Sequence, residues 1–274
     1  MNDIPGSKSD DPQFVRAYYA RQAAATGSSS DCTMQDEVTR ERELSAIQEF
    51  LQLLAGDAQC RRVLEIGCGN GFLLSQIVEW FGDRFHLVGV DATPEMIEIA
   101  RSRRLNGDIL VGDVRTLDFA DGAFDALISE RVLINLLTET DQLRAFAELA
   151  RVVRPGGFAL LVEGFRSGLE NLNRARADFL LEPIPEPDVN FWFTEERWRL
   201  CLGAHWDEVP GAQLGLQIPE NFLSSHYFMT RFVHDVIRPE RGKIRNTEFA
   251  HFFAQALPPV GDYSPLRLKL LRRK

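Results

Sequence analysis

The chain has 274 residues, 45% of them hydrophobic, and carries 31 basic and 40 acidic side chains for a net charge of −9. That length gives one large domain or one domain with a sizeable insertion, and the apolar content is ample for a core. The acidity argues for no nucleic acid as partner, no apolar run nears the ~18 residues of a membrane span, and Cys32, Cys60, Cys68 and Cys201 form neither a CxxC pair nor a metal-like cluster, so a cytoplasmic, reducing setting is expected.

Met1 to Asp11 is polar, with Pro and Gly, and is read as disordered and not as a signal peptide. Asp11-Pro12 starts a helix over Gln13 to Ala25, with Phe14, Tyr18 and Ala25 on its face. Thr26 to Ser30 breaks it. A longer helix runs from about Gln35 to Leu54, since Val38, Leu44, Ile47, Leu51 and Leu54 lie near a 3.6-residue period. The run Arg40-Glu41-Arg42-Glu43 is placed on its wet face.

Val63 to Ile66 reads as a short buried strand with an acid, Glu65, near its end. Gly67-Cys68-Gly69-Asn70-Gly71 follows, then a helix over Phe72 to Phe81. Glycines here permit backbone angles that a Cβ forbids and let a ligand approach the main chain. The turn also aims N–H groups and a helix N-terminus at whatever binds. A glycine turn alone serves a dinucleotide equally well, but the spacing here is 67/69/71, not G-x-G-x-x-G.

Phe85 to Val90 is a second buried strand ending at Asp91. An acid there can accept bonds from ribose hydroxyls; it can also simply cap the helix that opens at Pro94, where Thr93 is a good N-cap. That helix runs to Arg104. Asp108 to Val111 is a third strand, followed by Gly112-Asp113-Val114. Ala126 to Ser129 is a fourth, and beyond it lie Glu130, Arg131 and Asn135, able to project near a bound ligand because open α/β sheets bind ligands at the carboxyl ends of their strands. Thr138 caps a helix over Asp141 to Val153. Arg154-Pro155-Gly156-Gly157 stops it before a fifth strand, Phe158 to Val162, with Glu163 at its end.

The stretch Glu65-Ile66-Gly67-Cys68-Gly69-Asn70-Gly71, with Asp91 and Gly112-Asp113 downstream, resembles class I methyltransferases that use S-adenosylmethionine. The resemblance covers roughly Thr33 to Glu163. It implies a Rossmann-like, seven-stranded, mostly parallel sheet with helices on both faces and an N-terminal helical cover. It also implies a cofactor site built from Glu65, Gly67, Cys68, Gly69, Gly71, Asp91, Ala92, Met96, Gly112, Asp113, Val114, Glu130 and Arg131. In that family the glycine turn approaches the amino-acid end of the cofactor and the acid at Asp113 accepts the adenine amino group. Met96 would pack near the adenosine.

Methyl transfer needs alignment and, for some acceptors, a base, but no covalent enzyme intermediate. Glu130 and Glu163 end neighbouring strands and are the first candidates for the base; they also suit a pair that holds a cationic substrate or a divalent metal, or scaffolding carboxylates paired with Arg131 or Arg166. His226 is a third catalytic candidate, and no metal site is assigned. The arrangement expected is a flexible N-terminus and lid helix at 1–34, a cofactor-binding core at 35–165, a substrate-side insertion at 166–203 and completing strands at 204–274. In the insertion, Phe191-Trp192-Phe193 suits an apolar substrate wall or the core; the stretch Ser129 to Leu136, together with Glu163 and Asn171-Leu172-Asn173, resembles enzymes that decorate sugars or secondary metabolites. Tyr227 to Val233 fits strand or helix. Leu266, Leu268 and Leu270 alternate with basic residues, as in a half-buried strand with a wet face.

The expected activity is methylation of a small molecule, at oxygen before nitrogen, by a protein acting alone or as a homodimer. A small-amine N-methyltransferase, a macromolecular methyltransferase, a non-catalytic partner subunit and a nucleotide-cofactor oxidoreductase are the alternatives.

Overall fold

The computed structural model describes residues 12–29, 34–238 and 247–274. Met1 to Asp11 and Cys32 lie outside them. Seven strands form one sheet: β1 (Arg62–Ile66), β2 (His86–Asp91), β3 (Gly107–Val111), β4 (Phe124–Glu130), β5 (Val153–Gly164), β6 (Trp206–Glu208) and β7 (Leu266–Arg273). Their order is β3-β2-β1-β4-β5-β7-β6. The first five run parallel, and β7 is antiparallel to both its neighbours. This is the Rossmann-like sheet expected from the sequence. The chain reverses its winding between β1 and β4, so the carboxyl ends of these two strands open a crevice.

The two faces follow from strand parity. Val63, Leu87, Ile128, Leu160 and Val162 face one layer, where they meet α2 (Glu37–Ala55), α3 (Phe72–Phe81) and α4 (Pro94–Ser102). Leu64, Val88, Leu127, Ala159 and Leu161 face the other, against α5 (Glu139–Val152), α6 (Arg166–Ala177) and α7 (Glu195–Leu202). Gly71 shows why the glycine turn packs so tightly: its φ is 74°, and a Cβ there would meet Ala100 of α4 at 3.0 Å.

The first helix, α1 (Pro12–Thr26), turns a different face inward from the one expected. Phe14 and Ala25 are exposed, while Tyr19 and Ala23 pack on Met96 and Ile99 of α4. The sequence segment that fitted either strand or helix is helical. It comprises α8 (Ser224–Phe228), a wider π-type turn over Met229–Val233, and α9 (His234–Ile237). The last helix, α10 (Glu248–Ala256), precedes β7. No helix among the described residues is long and apolar enough to cross a membrane.

β7 departs from the expected wet face. Leu266, Leu268 and Leu270 join the core of the α2 side, but Arg267 and Lys269 are buried as well. β7 is an inner strand, so both of its faces are covered. Arg267 pairs with Glu195 and Asp262, each at 2.6 Å, and lies over Phe165. Lys269 pairs with Glu208 and Glu220, each at 2.7 Å, and faces the rings of Phe165 and Trp198. Alternation gave the right strand but could not see the acids that α7 and the neighbouring loops bring over it. Removing the guanidinium leaves two carboxylates to resolvate and opens a gap over Phe165. Arg267→Ala is expected to cost about 1–3 kcal/mol, less than a fully buried pair because the two acids are partly exposed; the urea unfolding midpoint reads it.

Candidate cofactor and methyl-transfer site

The crevice between β1 and β4 is a cavity of about 1310 Å³ of empty space, its open mouth included. Glu65, Gly67, Cys68, Gly69, Asp91, Ala92, Met96, Gly112, Asp113, Val114, Glu130 and Arg131 all line it. Gly71 stands just behind, as N-cap of α3.

Main-chain bonds shape the glycine turn. The N–H groups of Gly67 and Cys68 donate to the Val90 carbonyl at 2.7 and 3.1 Å, and Gly69 N–H donates to the Asp91 carboxylate at 3.0 Å. Gly67 has φ 73°, and a Cβ there would lie 2.1 Å from the Val132 side chain. Asp91 also accepts from Thr93 N–H at 2.8 Å. It therefore caps the α4 turn and faces the cavity at once, so both readings of this residue meet in one carboxylate. Thr93 occupies the N-cap position, but its side chain makes no cap bond there. Burial raises the Asp91 pKa against these two N–H donors.

Glu65 is buried, and one of its oxygens has no hydrogen-bond partner. Burial, with Glu130 and Asp91 nearby, pushes its pKa well up. An orphaned acceptor on the wall of a cradle that a Cβ would fill fits a ligand bringing ammonium or hydroxyl donors. At the other end Asp113 takes hydrogen bonds from Arg115 at 2.6 and 2.9 Å and from Arg16 at 3.2 Å. These hold its pKa below the usual carboxylate range, Arg115 foremost. An adenine amino group would share Asp113 with two guanidinium groups.

α1 covers this cavity with Val15, Arg16 and Tyr19, which sequence reasoning did not pick out. The Asn135 amide donates to the Tyr19 hydroxyl at 2.9 Å. Asn70 donates to the carbonyls of Gly27 and Ser29, and Arg103 to those of Ser28 and Asn70. The helix is thus tied to the glycine turn. Burial pushes the Tyr19 pKa up to about 12, so it is a neutral hydroxyl at neutral pH.

The three catalytic candidates separate. Glu130 lines the cavity. Glu163 does not, because β4 and β5 pair Glu130 with Val162, which puts Glu163 on the opposite face of the sheet. There it is fully buried and accepts N–H bonds from Val132, Leu133 and Ile134, all at 3.1 Å, and lies 3.4 Å from the Ser129 hydroxyl. His226 is also buried away from the cavity. Its Nε2 sits 2.9 and 3.0 Å from the two Asp36 oxygens, and Arg231 donates to the same carboxylate at 2.9 Å. Asp36 also caps α2 through Thr39 N–H, so His226 clasps α8 to α2.

No residue of 166–203 lines the cavity, so the expected substrate wall in that segment is corrected. Asn171 bonds to Asp262, and Asn173 to the main chain of Ile184. Trp192 and Phe193 are core. The run Arg40–Glu43 needs correction too. Arg40 lines the cavity, and Glu43 is 0% exposed, paired with Arg131.

Fold and site together define a Rossmann-like protein built to hold a nucleoside cofactor at its switch point. Residues 63–157 match the family model described as "Methyltransferase domain". These residues carry a class I S-adenosylmethionine-dependent methyltransferase domain, and S-adenosylmethionine is the cofactor that such a domain uses. The tRNA (carboxymethyluridine(34)-5-O)-methyltransferase ALKBH8 of Mus musculus is 33% identical over 123 residues, covering 45% of this chain and 17% of the relative. The demethylmenaquinone methyltransferase of Roseiflexus sp. (strain RS-1) is 36% identical over 112 residues, 40% of this chain and 45% of the relative. The chain therefore spans less than half the length of these relatives. The magnesium protoporphyrin IX methyltransferase (ChlM) of Synechocystis PCC 6803 with bound SAH shares the fold, with TM-score 0.57 and 14% identity over 96% of this chain and 100% of that one.

These relatives overturn the exclusion of nucleic acid, since one of them is named for a tRNA substrate. A net charge of −9 is an average over the whole surface. It does not describe the cavity itself, where Arg16, Arg40, Arg115 and Arg131 stand among the acids Glu65, Asp91, Asp113, Glu130 and Asp141.

Burial pushes the Glu163 pKa up from 4.5 to about 7, against the pull of its three N–H donors. The folded chain thus keeps a proton that the unfolded chain has lost between these values. Its contribution to stability is full below about 4.5 and drains as pH rises through about 7. Glu163→Gln is expected to unfold more easily at acid pH, because its amide opposes one of the N–H donors, and to show a flatter stability profile between pH 4.5 and 7; urea titrations across that range check both.

Proposed function

We propose that this protein transfers a methyl group from S-adenosylmethionine to an oxygen of a small-molecule acceptor held beside Tyr19, Glu130, Arg131 and Asn135. The observation that carries this reading is the position of Glu130. It stands at the end of β4, on the cavity wall, with Arg40 at 3.8 Å and Arg131 at 3.9 Å. Glu163 and His226 are held elsewhere by their own partners.

S-adenosylmethionine supplies a methyl on a sulfonium sulfur, which keeps the C–S electron pair when the acceptor oxygen takes the methyl. The chain's part is alignment and proton removal. Glu130 accepts the acceptor's proton. Tyr19 from α1 and Asn135 from the turn after β4, hydrogen-bonded to each other, fix the acceptor's orientation together. The covering helix keeps water from the reacting oxygen.

A second reading has a specific observation behind it. The named tRNA methyltransferase relative favours an acceptor carried on a tRNA nucleoside, whose reacting group would enter the same mouth.

Calorimetric titration with S-adenosylmethionine, S-adenosylhomocysteine and NAD is the first test. The first two are expected to bind and NAD is not. Asp91→Asn, which keeps an oxygen for only one of the Gly69 and Thr93 N–H groups and removes the charge, is expected to weaken binding by at least about 10-fold, the loss of one charge-assisted hydrogen bond. Binding of NAD alone would sink the reading. Labelled methyl transfer is then screened against hydroxylated and carboxylated small molecules and against bulk tRNA. Label in tRNA alone would replace the small-molecule acceptor by the second reading.

A further inference from the structure

Behind the cavity wall two carboxyl groups are buried side by side with two guanidinium groups. Arg40 Nη1 lies 3.9 Å from Glu43 Oε2 and 3.8 Å from Glu130 Oε1. Arg131 Nη1 contacts Glu43 Oε1 and lies 3.9 Å from Glu130 Oε1. Glu43 Oε2 and Glu130 Oε1, the two oxygens that face the same arginine, are buried and receive no hydrogen bond from any donor. An acceptor left unsatisfied in such a place is costly. A single proton between the two carboxyl groups supplies the missing donor to both.

The backbone marks the cluster as well. Arg131 is a non-glycine residue with φ 57°. That conformation is strained and persists only when its surroundings impose it. Here the Arg131 N–H donates to the Val162 carbonyl at 2.7 Å, its carbonyl accepts from Asn135 at 2.8 Å, and its guanidinium is held by Glu43.

We propose that Glu43 and Glu130 share one exchangeable proton, that a cationic cofactor expels it, and that Glu130 is thereby left ionised to accept the proton of the methyl acceptor. Glu43 is a positioning residue. It reaches the cavity only through Glu130 and Arg131, whereas Glu130 touches the ligand space. The charge balance supports the sequence of events. With its shared proton the four-residue cluster carries one positive charge, and a sulfonium arriving beside it repels the proton. Without the proton the cluster is neutral. Burial and the Glu130 carboxyl raise the Glu43 pKa to about 8, so the proton is present at neutral pH. The groups facing Glu43 are Arg40 on its own helix, Glu130 and Arg131 at the end of β4, and Tyr227 on α8, itself a buried neutral phenol. Glu65 faces Glu130 from β1.

The proposal rests on the methyltransferase reading and is tested without an acceptor. S-adenosylmethionine and S-adenosylhomocysteine differ by the methyl and its positive charge. Titration calorimetry at neutral pH in two buffers of different ionisation enthalpy counts protons released on binding. The wild type is expected to release about one proton more with S-adenosylmethionine than with S-adenosylhomocysteine. In Glu43→Gln that difference is expected to fall to the part due to the ligands' own ammonium groups, with S-adenosylhomocysteine affinity kept within about threefold.

A wild-type measurement guards against a variant that does not fold. The ratio of S-adenosylmethionine to S-adenosylhomocysteine affinity is expected to rise as pH increases from about 6, by up to about tenfold per unit, and to level off once the pair has lost its proton. Equal proton counts for the two ligands, a ratio flat with pH, or a difference that survives in Glu43→Gln would overturn the proposal. Failure of both ligands to bind would overturn the methyltransferase reading, and this inference with it.

Discussion

A carboxylate sealed from water must find donors inside the protein, and Glu163 finds three successive main-chain N–H groups, those of residues 132 to 134. The rest of the site hangs on this interaction. It draws the chain after β4 into a tight turn, fixes Asn135 where it meets Tyr19, and leaves Arg131 to absorb the change of direction in a left-handed conformation. Val132 then closes on Gly67 so nearly that no side chain fits between them. A residue on the far face of the sheet thus sets the shape of the near one.

The local parts of this arrangement were legible in the sequence. The glycine turn, the acids ending β2 and β4 and the Gly112-Asp113 step all lie at strand ends, and strand ends follow from short apolar runs punctuated by Gly and Asp. Glu163 was not legible as a structural acid. Its side of the sheet depends on register with β4, a non-local fact, and the pairing of Glu130 with Val162, one residue before Glu163, decides it. His226 was hidden for a similar reason, since its partner Asp36 lies 190 positions away.

Glu43 is a different case, because the signal was present. Glu43, Ile47, Phe50 and Leu54 fall at helical spacing along one stripe of α2, and all four are buried. The surrounding Arg and Glu residues made the whole run look solvated. A charge whose position belongs to the apolar stripe is more informative than its charged neighbours, and the same holds for Arg267 and Lys269 in β7.

Among the bonds that hold α1 and the turn after it across the cavity are Arg16 to Asp113, Asn135 to Tyr19, and the ties of Asn70 and Arg103 to carbonyls 27 to 29. Each is worth about 1 kcal/mol net, so the cover detaches far more often than the sheet unfolds. Traffic of the nucleoside through the mouth is therefore set by how long this helix stays down. A helix held so lightly lets spent cofactor out without any opening of the sheet, and makes the N-terminal segment, away from the reacting atoms, a part whose sequence can alter how fast the mouth clears.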